Sequence, residues 1–186
     1  MVYGSDPTGV DVPVGSTWRQ TSANSTYGNL TGLLWNKVGT GTTLGTDWLV
    51  DFEGRWITYT VTTTNVNLGT GGTVTGKYTR TGKTITCRVR LVLGTSGSFS
   101  GTVALSLPAT GASLADTVYA GNVIMRDSGV SANWGLVSIG NNATTFGIAY
   151  AAGTQPAIGN SVGSGSTPFT WGNADSFHAQ FTYESA

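Results

Sequence analysis

Lys83-Thr84-Ile85-Thr86-Cys87-Arg88-Val89-Arg90-Leu91-Val92-Leu93 has the clearest periodicity of the chain. Ile85, Cys87, Val89, Leu91 and Leu93 occupy alternate positions, with Thr84, Thr86, Arg88, Arg90 and Val92 between them. Successive side chains of a strand point to opposite faces, so this pattern predicts a strand with one apolar face turned to a core and one polar face turned to water. Immediately upstream, residues 73–80 form a second strand, and Thr81-Gly82 is the tight link between the two, which together make a β-hairpin.

The same reading extends in both directions. Further strands are predicted at 101–107, 117–127, 132–139, 144–150, 156–162 and 175–183, most of them separated by Gly, Asn or Ser clusters. The last alternates cleanly, Phe177, Ala179, Phe181 and Tyr183 on one face against His178, Gln180 and Thr182 on the other. Towards the N-terminus, Gly and Pro punctuate the chain so densely that only short strands fit, at 16–21, 33–38 and 47–50. Gly and β-branched Thr disfavour helix, and no repeat of propeller-blade length is present. The expectation is an all-β protein: a small N-terminal β module over 1–54, then an antiparallel jelly-roll β-sandwich over 55–186.

Composition narrows the function classes. Only 10% of the 186 residues are charged, nine basic residues balance nine acidic ones, and Gly numbers 28. A chain without net charge has no global field to hold it on nucleic acid or acidic lipid, and nothing that keeps copies of itself apart. Cys87 is the lone cysteine, which leaves no intrachain disulfide and no cysteine-based zinc site. No run reaches the roughly 18 apolar residues of a membrane span, and residues 1–11 have neither a basic leader nor an apolar core of a signal peptide.

Residues able to carry covalent chemistry are few. His178 is the sole histidine, so any serine triad would have to use it; its place on a polar strand face reads as an ordinary surface residue. Asp47, Asp51 and Glu53 are the one acidic cluster, suited to glycoside hydrolysis or to an ion, but they lack the dense oxygen-ligand loop that calcium needs and read as a solvated linker. Asn24-Ser25-Thr26, Asn29-Leu30-Thr31 and Asn142-Ala143-Thr144 match the glycosylation pattern as chance occurrences in a Thr-rich chain. The expectation is a protein that is no enzyme, with no catalytic residue, cofactor or metal.

Two sets of residues suit binding instead. Lys77, Arg80, Lys83, Arg88 and Arg90 concentrate five of the nine basic residues in the hairpin, either as a contact for an acidic partner or as charges that guard a sheet edge. Among the six tryptophans, Trp18, Trp35 and Trp48 supply the core of the small module and its anchor, whereas Trp134 and Trp171, each beside a glycine, are the candidates for exposed loops that stack on a glycan.

Two segments carry a family resemblance. Pro7-Thr8-Gly9, residues 13–21, residues 32–43 and Asp47-Trp48 resemble a short β module that recurs in bacteriophage fibre and minor tail proteins. Residues 76–85, Ser106-Leu107-Pro108 and residues 168–175 followed by 177–184 resemble the C-terminal jelly-roll domain of phage tail and head-surface proteins, particularly of actinobacterial phages. That group is similar to trimeric jelly rolls of the tumour-necrosis-factor type. The resemblance implies a homotrimer on the virion surface, made in the host cytoplasm. A chain that starts at Met1 without a coiled-coil or collagen-like shaft is expected to be a capsid decoration protein, bound to the major capsid protein. The alternative is a minor tail or tail-tip protein that contacts a host surface polysaccharide.

Overall fold

A computed structural model of the chain describes residues 2–4, 6–27, 30–113, 116, 118–151, 158–162 and 167–186. In chain order the strands are β1 (Val2–Gly4), β2 (Thr17–Gln20), β3 (Leu34–Lys37), β4 (Trp48–Asp51), β5 (Ile57–Tyr59), β6 (Thr63–Asn67), β7 (Thr73–Thr81) and β8 (Thr84–Val92). They continue as β9 (Ser98–Ser106), β10 (Val118–Asp127), β11 (Ser131–Ile139), β12 (Thr145–Ala151), β13 (Ile158–Ser161) and β14 (Ser176–Glu184). A single 3-10 turn at Ser25–Tyr27 is the helical element among the described residues. The all-β class expected from the sequence is therefore what forms. Of the predicted strand starts, Thr117 and Pro156 lie outside the described residues, as does Asn29 of the second glycosylation match.

The chain divides into two compact units. The first comprises Met1–Thr58 together with the hairpin tip Tyr78–Ile85, and the second comprises Tyr59–Lys77 and Thr86–Ala186. A boundary at residues 54 and 55 was the sequence expectation; the first unit in addition recruits the tip of the β7–β8 hairpin, which is distant in sequence.

In the first unit β2, β3 and β4 form an antiparallel meander, and β1 pairs with β2 in parallel. Trp18 stands opposite Trp35 across β2 and β3. Trp18, Leu33, Trp35, Trp48, Val50 and Phe52 are buried. The indole Nε1 of Trp35 donates to Oε1 of the buried Gln20 at 3.1 Å, so the polar end of the ring is satisfied inside the core. Tyr27 and Tyr78 both lie against Phe52, each with ring centroids 5.5 Å apart. The hairpin tip joins through the Phe52 amide, which donates to the Arg80 carbonyl, and the Gly82 amide, which donates to Val50.

In the second unit the strand order is β7-β8-β14-β10-β11-β12-β9-β6. Inward faces supply Cys87, Val89 and Leu91 from β8, Phe177, Ala179, Phe181 and Tyr183 from β14, Val123 and Met125 from β10, and Phe146 and Ile148 from β12, all buried. Strands in a sheet lie about 4.8 Å apart, so β14 and β12, three steps from one another, would be roughly 14 Å apart in a flat sheet. The rings of Phe146 and Phe181 nevertheless meet at 4.6 Å. The sheet therefore curls over its own apolar face, as a sandwich of jelly-roll type requires.

Residues 59–67 complete the curl. Gly76 of β7 sits where a Cβ would come within 2.5 Å of the Tyr59 ring and 2.4 Å of Val61, while a few residues on, β6 pairs with β9. The Tyr59 hydroxyl donates to the Ser106 carbonyl at 3.2 Å. The lone Cys87 is fully enclosed, and burial pushes its thiol well above the ordinary range.

Phe181→Ala removes a buried ring at the meeting point of the two layers. It should lower the unfolding free energy by about 3–5 kcal/mol, read as a shift of the chemical denaturation midpoint at unchanged slope.

Candidate functional site

The outward face of the second unit bears a groove of about 720 Å3 running across β7, β8, β14, β10 and β11, within the ~300–1,000 Å3 span of ligand sites. Its walls follow from strand parity: whatever alternates with the core must face out. β7 contributes Thr75 and Lys77, β8 Arg88 and Arg90, β14 His178, Gln180 and Thr182, β10 Asn122 and Ile124, and β11 Trp134.

Register sets these side chains in rows. His178 is the Cα partner of Ile124, and Ile124 of Trp134. On the other side of His178, the Arg90 Nε donates to its Nε2 at 3.3 Å. One line thus crosses four strands as Arg90, His178, Ile124, Trp134, about 14 Å from guanidinium strand to indole strand. The neighbouring row places Gln180 beside Asn122, and the next has the Thr86 and Thr182 hydroxyls 3.0 Å apart.

One glycine lies in the floor. A Cβ on Gly121 would fall 2.2 Å from the Gln180 carbonyl oxygen and 2.5 Å from the Cα of Phe181, so β10 approaches β14 more closely than any larger residue permits. This coincides with a β-bulge between Tyr119 and Gly121. On the core face of β11, behind Trp134, Gly135 leaves room for the Ala149 carbonyl oxygen, 2.5 Å from its missing Cβ, and for Val123 and Met125.

Among the described residues no acidic side chain lines the groove, whereas Lys77, Arg88, Arg90 and His178 do. Loss of hydration lowers the affinity of His178 for a proton, and the positive charges of Arg90 and Arg126 lower it further. The imidazole is consequently neutral at neutral pH, able to accept from Arg90.

The groove gathers only part of what sequence reading proposed. Lys77, Arg88, Arg90 and Trp134 come together there, and His178 sits between them. Arg80 points inward, is buried, and donates from Nε to the Gly82 carbonyl at 2.6 Å; Lys83 lies in the exposed hairpin turn, and both belong to the first unit. Trp134 is 69% exposed, but on strand β11 rather than in the expected loop, because its neighbour Gly135 serves packing and not a turn.

Trp171 corrects the expectation of an exposed loop: it is only 5% exposed. Its ring packs on Phe99 and Phe169, and its Nε1 donates to the Thr167 carbonyl at 2.8 Å. Trp18, Trp35 and Trp48 are core residues of the first unit.

The acidic cluster is spent on local structure. Asp47 accepts from the amides of Gly41 and Thr43 at 3.0 and 2.9 Å, Asp51 accepts from the Glu53 amide at 2.6 Å, and Glu53 pairs with Arg19 at 3.0 Å. The Thr43 and Gly41 amides, with Lys37, hold the Asp47 carboxyl below its ordinary range, and the hydrogen bond from Arg19 does the same to Glu53. Among the described residues no group of His, Cys, Asp and Glu is placed to hold a metal ion. Asn122, Ile124 and Gln180 went unremarked as site residues; the alternation of β10 and β14 marks them as outward, but their adjacency arises from pairing between distant strands.

No protein-family model, curated protein or solved structure matches the chain.

The His178 geometry has a consequence for stability. The unfolded chain takes up this proton near pH 6.5, the ordinary histidine value, and the folded chain only below it. The unfolded state therefore binds more protons across that window, and His178 subtracts from stability as pH falls below about 6.5. Urea midpoints of the wild type and of His178→Gln, compared between about pH 7.5 and 5.5, should move relative to each other in favour of the variant as pH falls; a gap that stays constant contradicts the assignment.

Proposed function

We propose that the protein is a non-enzymatic surface protein of a bacteriophage particle whose second unit contacts a polysaccharide through the groove on β7, β8, β14, β10 and β11. The virion setting and a homotrimer rest on the sequence resemblance. The polysaccharide contact rests on the groove, and one observation carries it: Trp134 stands 69% exposed at the end of a row that also holds Arg90 and His178.

An exposed indole on a regular strand leaves a large apolar face in water, which a stacked sugar ring would cover. The rest of the floor presents amide, hydroxyl and cationic groups from Asn122, Gln180, Thr182, Thr75 and Arg90, the donors and acceptors that a hydroxyl-rich ligand needs. Lysine is depleted in protein interfaces relative to the rest of the surface, whereas this groove carries Lys77 beside Arg88 and Arg90. A nucleic acid strand would require a succession of stacking rings; among the described residues that line the groove, Trp134 is the one exposed indole, phenol or phenyl ring.

In this reading the tail-tip role is favoured over capsid decoration, with the tryptophan-filled first unit as the part seated on the particle. Binding to an array of immobilised bacterial surface polysaccharides tests it. The protein should bind a subset of them, and Trp134→Ala should weaken that binding by about tenfold or more, the scale of a lost stacking contact, while leaving the denaturation midpoint within the narrow range of surface substitutions. Binding to assembled capsids, with no polysaccharide bound, would instead support decoration.

A further inference from the structure

We infer that the polysaccharide taken by the groove is anionic, bearing carboxylate or phosphate groups, with the acid held at the β7–β8 side and a sugar ring on Trp134. This rests on the polysaccharide reading above and specifies its ligand.

The charges are arranged with one sign. Lys77 on β7, Arg88 and Arg90 on β8 and His178 on β14 line the groove, Arg126 stands on β10 close enough to act on His178, and no Asp or Glu is among the described lining residues. In a chain whose nine basic and nine acidic residues cancel, such a local excess is a property of this face and not of the whole molecule. Elsewhere the protein neutralises arginine internally, as Arg19 and Arg55 do with Glu53. Around Lys77 and Arg90 no carboxylate lies within ion-pair distance among the described residues.

Arg90 is also held in place. Its Nε is engaged by His178 at 3.3 Å, which leaves the two terminal nitrogens of the guanidinium, the pair that binds a carboxylate or phosphate in bidentate fashion. A neutral imidazole is the partner that permits this, since it accepts a hydrogen bond without cancelling the charge. Arg90 and Trp134 stand on strands three steps apart, about 14 Å between backbones, so the acid and the stacked ring are met by different parts of the groove.

The two ends make separable contributions, and the test uses that. Binding of the full chain is measured by calorimetry to polygalacturonate, to a glycerol-phosphate polymer, to neutral dextran and to single-stranded poly(dT). At least one of the two acidic polysaccharides should bind, dextran roughly tenfold or more weakly, and added salt should weaken the acidic complex by screening. Arg90→Gln should reduce affinity for the acidic polymer by roughly tenfold, the order expected for loss of a charge-assisted hydrogen bond, with an unchanged thermal midpoint, whereas Arg90→Lys should retain the preference for acid over dextran. Which of the two acidic polymers binds distinguishes carboxylate from phosphate.

Equal, salt-independent binding of dextran and the acidic polymers, lost in Trp134→Ala, overturns the anionic assignment and leaves the polysaccharide reading standing. Preferential binding of poly(dT) overturns both in favour of a nucleic-acid groove. No binding to any polysaccharide likewise overturns both.

Discussion

The insertion of β14 between β8 and β10 is the constraint on which the second unit depends. The last strand of the chain becomes an interior strand of the sheet, pairing over Ser176–Phe181 with β10 on one side and lying next to β8 on the other. Its inward residues Phe177, Ala179, Phe181 and Tyr183 supply one side of the core. Its ends are tied as well. The buried Asp175 carboxylate accepts from the Ser128 amide at 2.7 Å and from Gly172 at 2.6 Å, and the Tyr183 hydroxyl donates to the Ala109 carbonyl at 2.8 Å. Such pairing across long sequence separations is slow to form, because loop closure precedes the contacts that reward it.

The groove is the other face of that same insertion. A strand with one apolar face necessarily presents the alternate residues outward, and β14 therefore puts His178, Gln180 and Thr182 at the centre of the outer surface. Strands β8 and β10 then bring Arg88 and Arg90 from one side and Asn122 and Ile124 from the other. The groove is built from side chains on paired strands, and Gly121 of β10 lets that strand approach β14 closely beneath them. Side chains fixed on paired strands have positions preset by packing, so little ordering remains to be done on contact.

Local pattern made much of this legible and pairing made the rest opaque. The parity of residues 83–93 and 175–183 correctly sorted core from surface, because alternation depends only on the strand itself. The short strands β1, β5 and β6 went unseen. Val2–Gly4 and Ile57–Tyr59 are only three residues each, and the alternation of Thr63-Thr64-Asn65-Val66-Asn67 is too polar to signal a strand. Trp171 was placed outside because a glycine follows it, yet Phe99, some 70 residues earlier, covers it. Of the five hairpin cations, the inward position of Arg80 follows from the same parity that puts Lys77 outward only once Gly76 and Tyr78 are known to be buried.

The outer face of β8, β14, β10 and β11 is proposed as the binding surface of the protein. A titration of the isotopically labelled chain with polygalacturonate fragments, followed by nuclear magnetic resonance, tests it most directly. The Trp134 indole Nε1 signal and the side-chain signals of Arg90, His178, Asn122 and Gln180 should shift together and saturably, while those of Trp35 and Trp48 in the first unit stay fixed. Shifts confined to other surfaces, or none at saturating polymer, would contradict it.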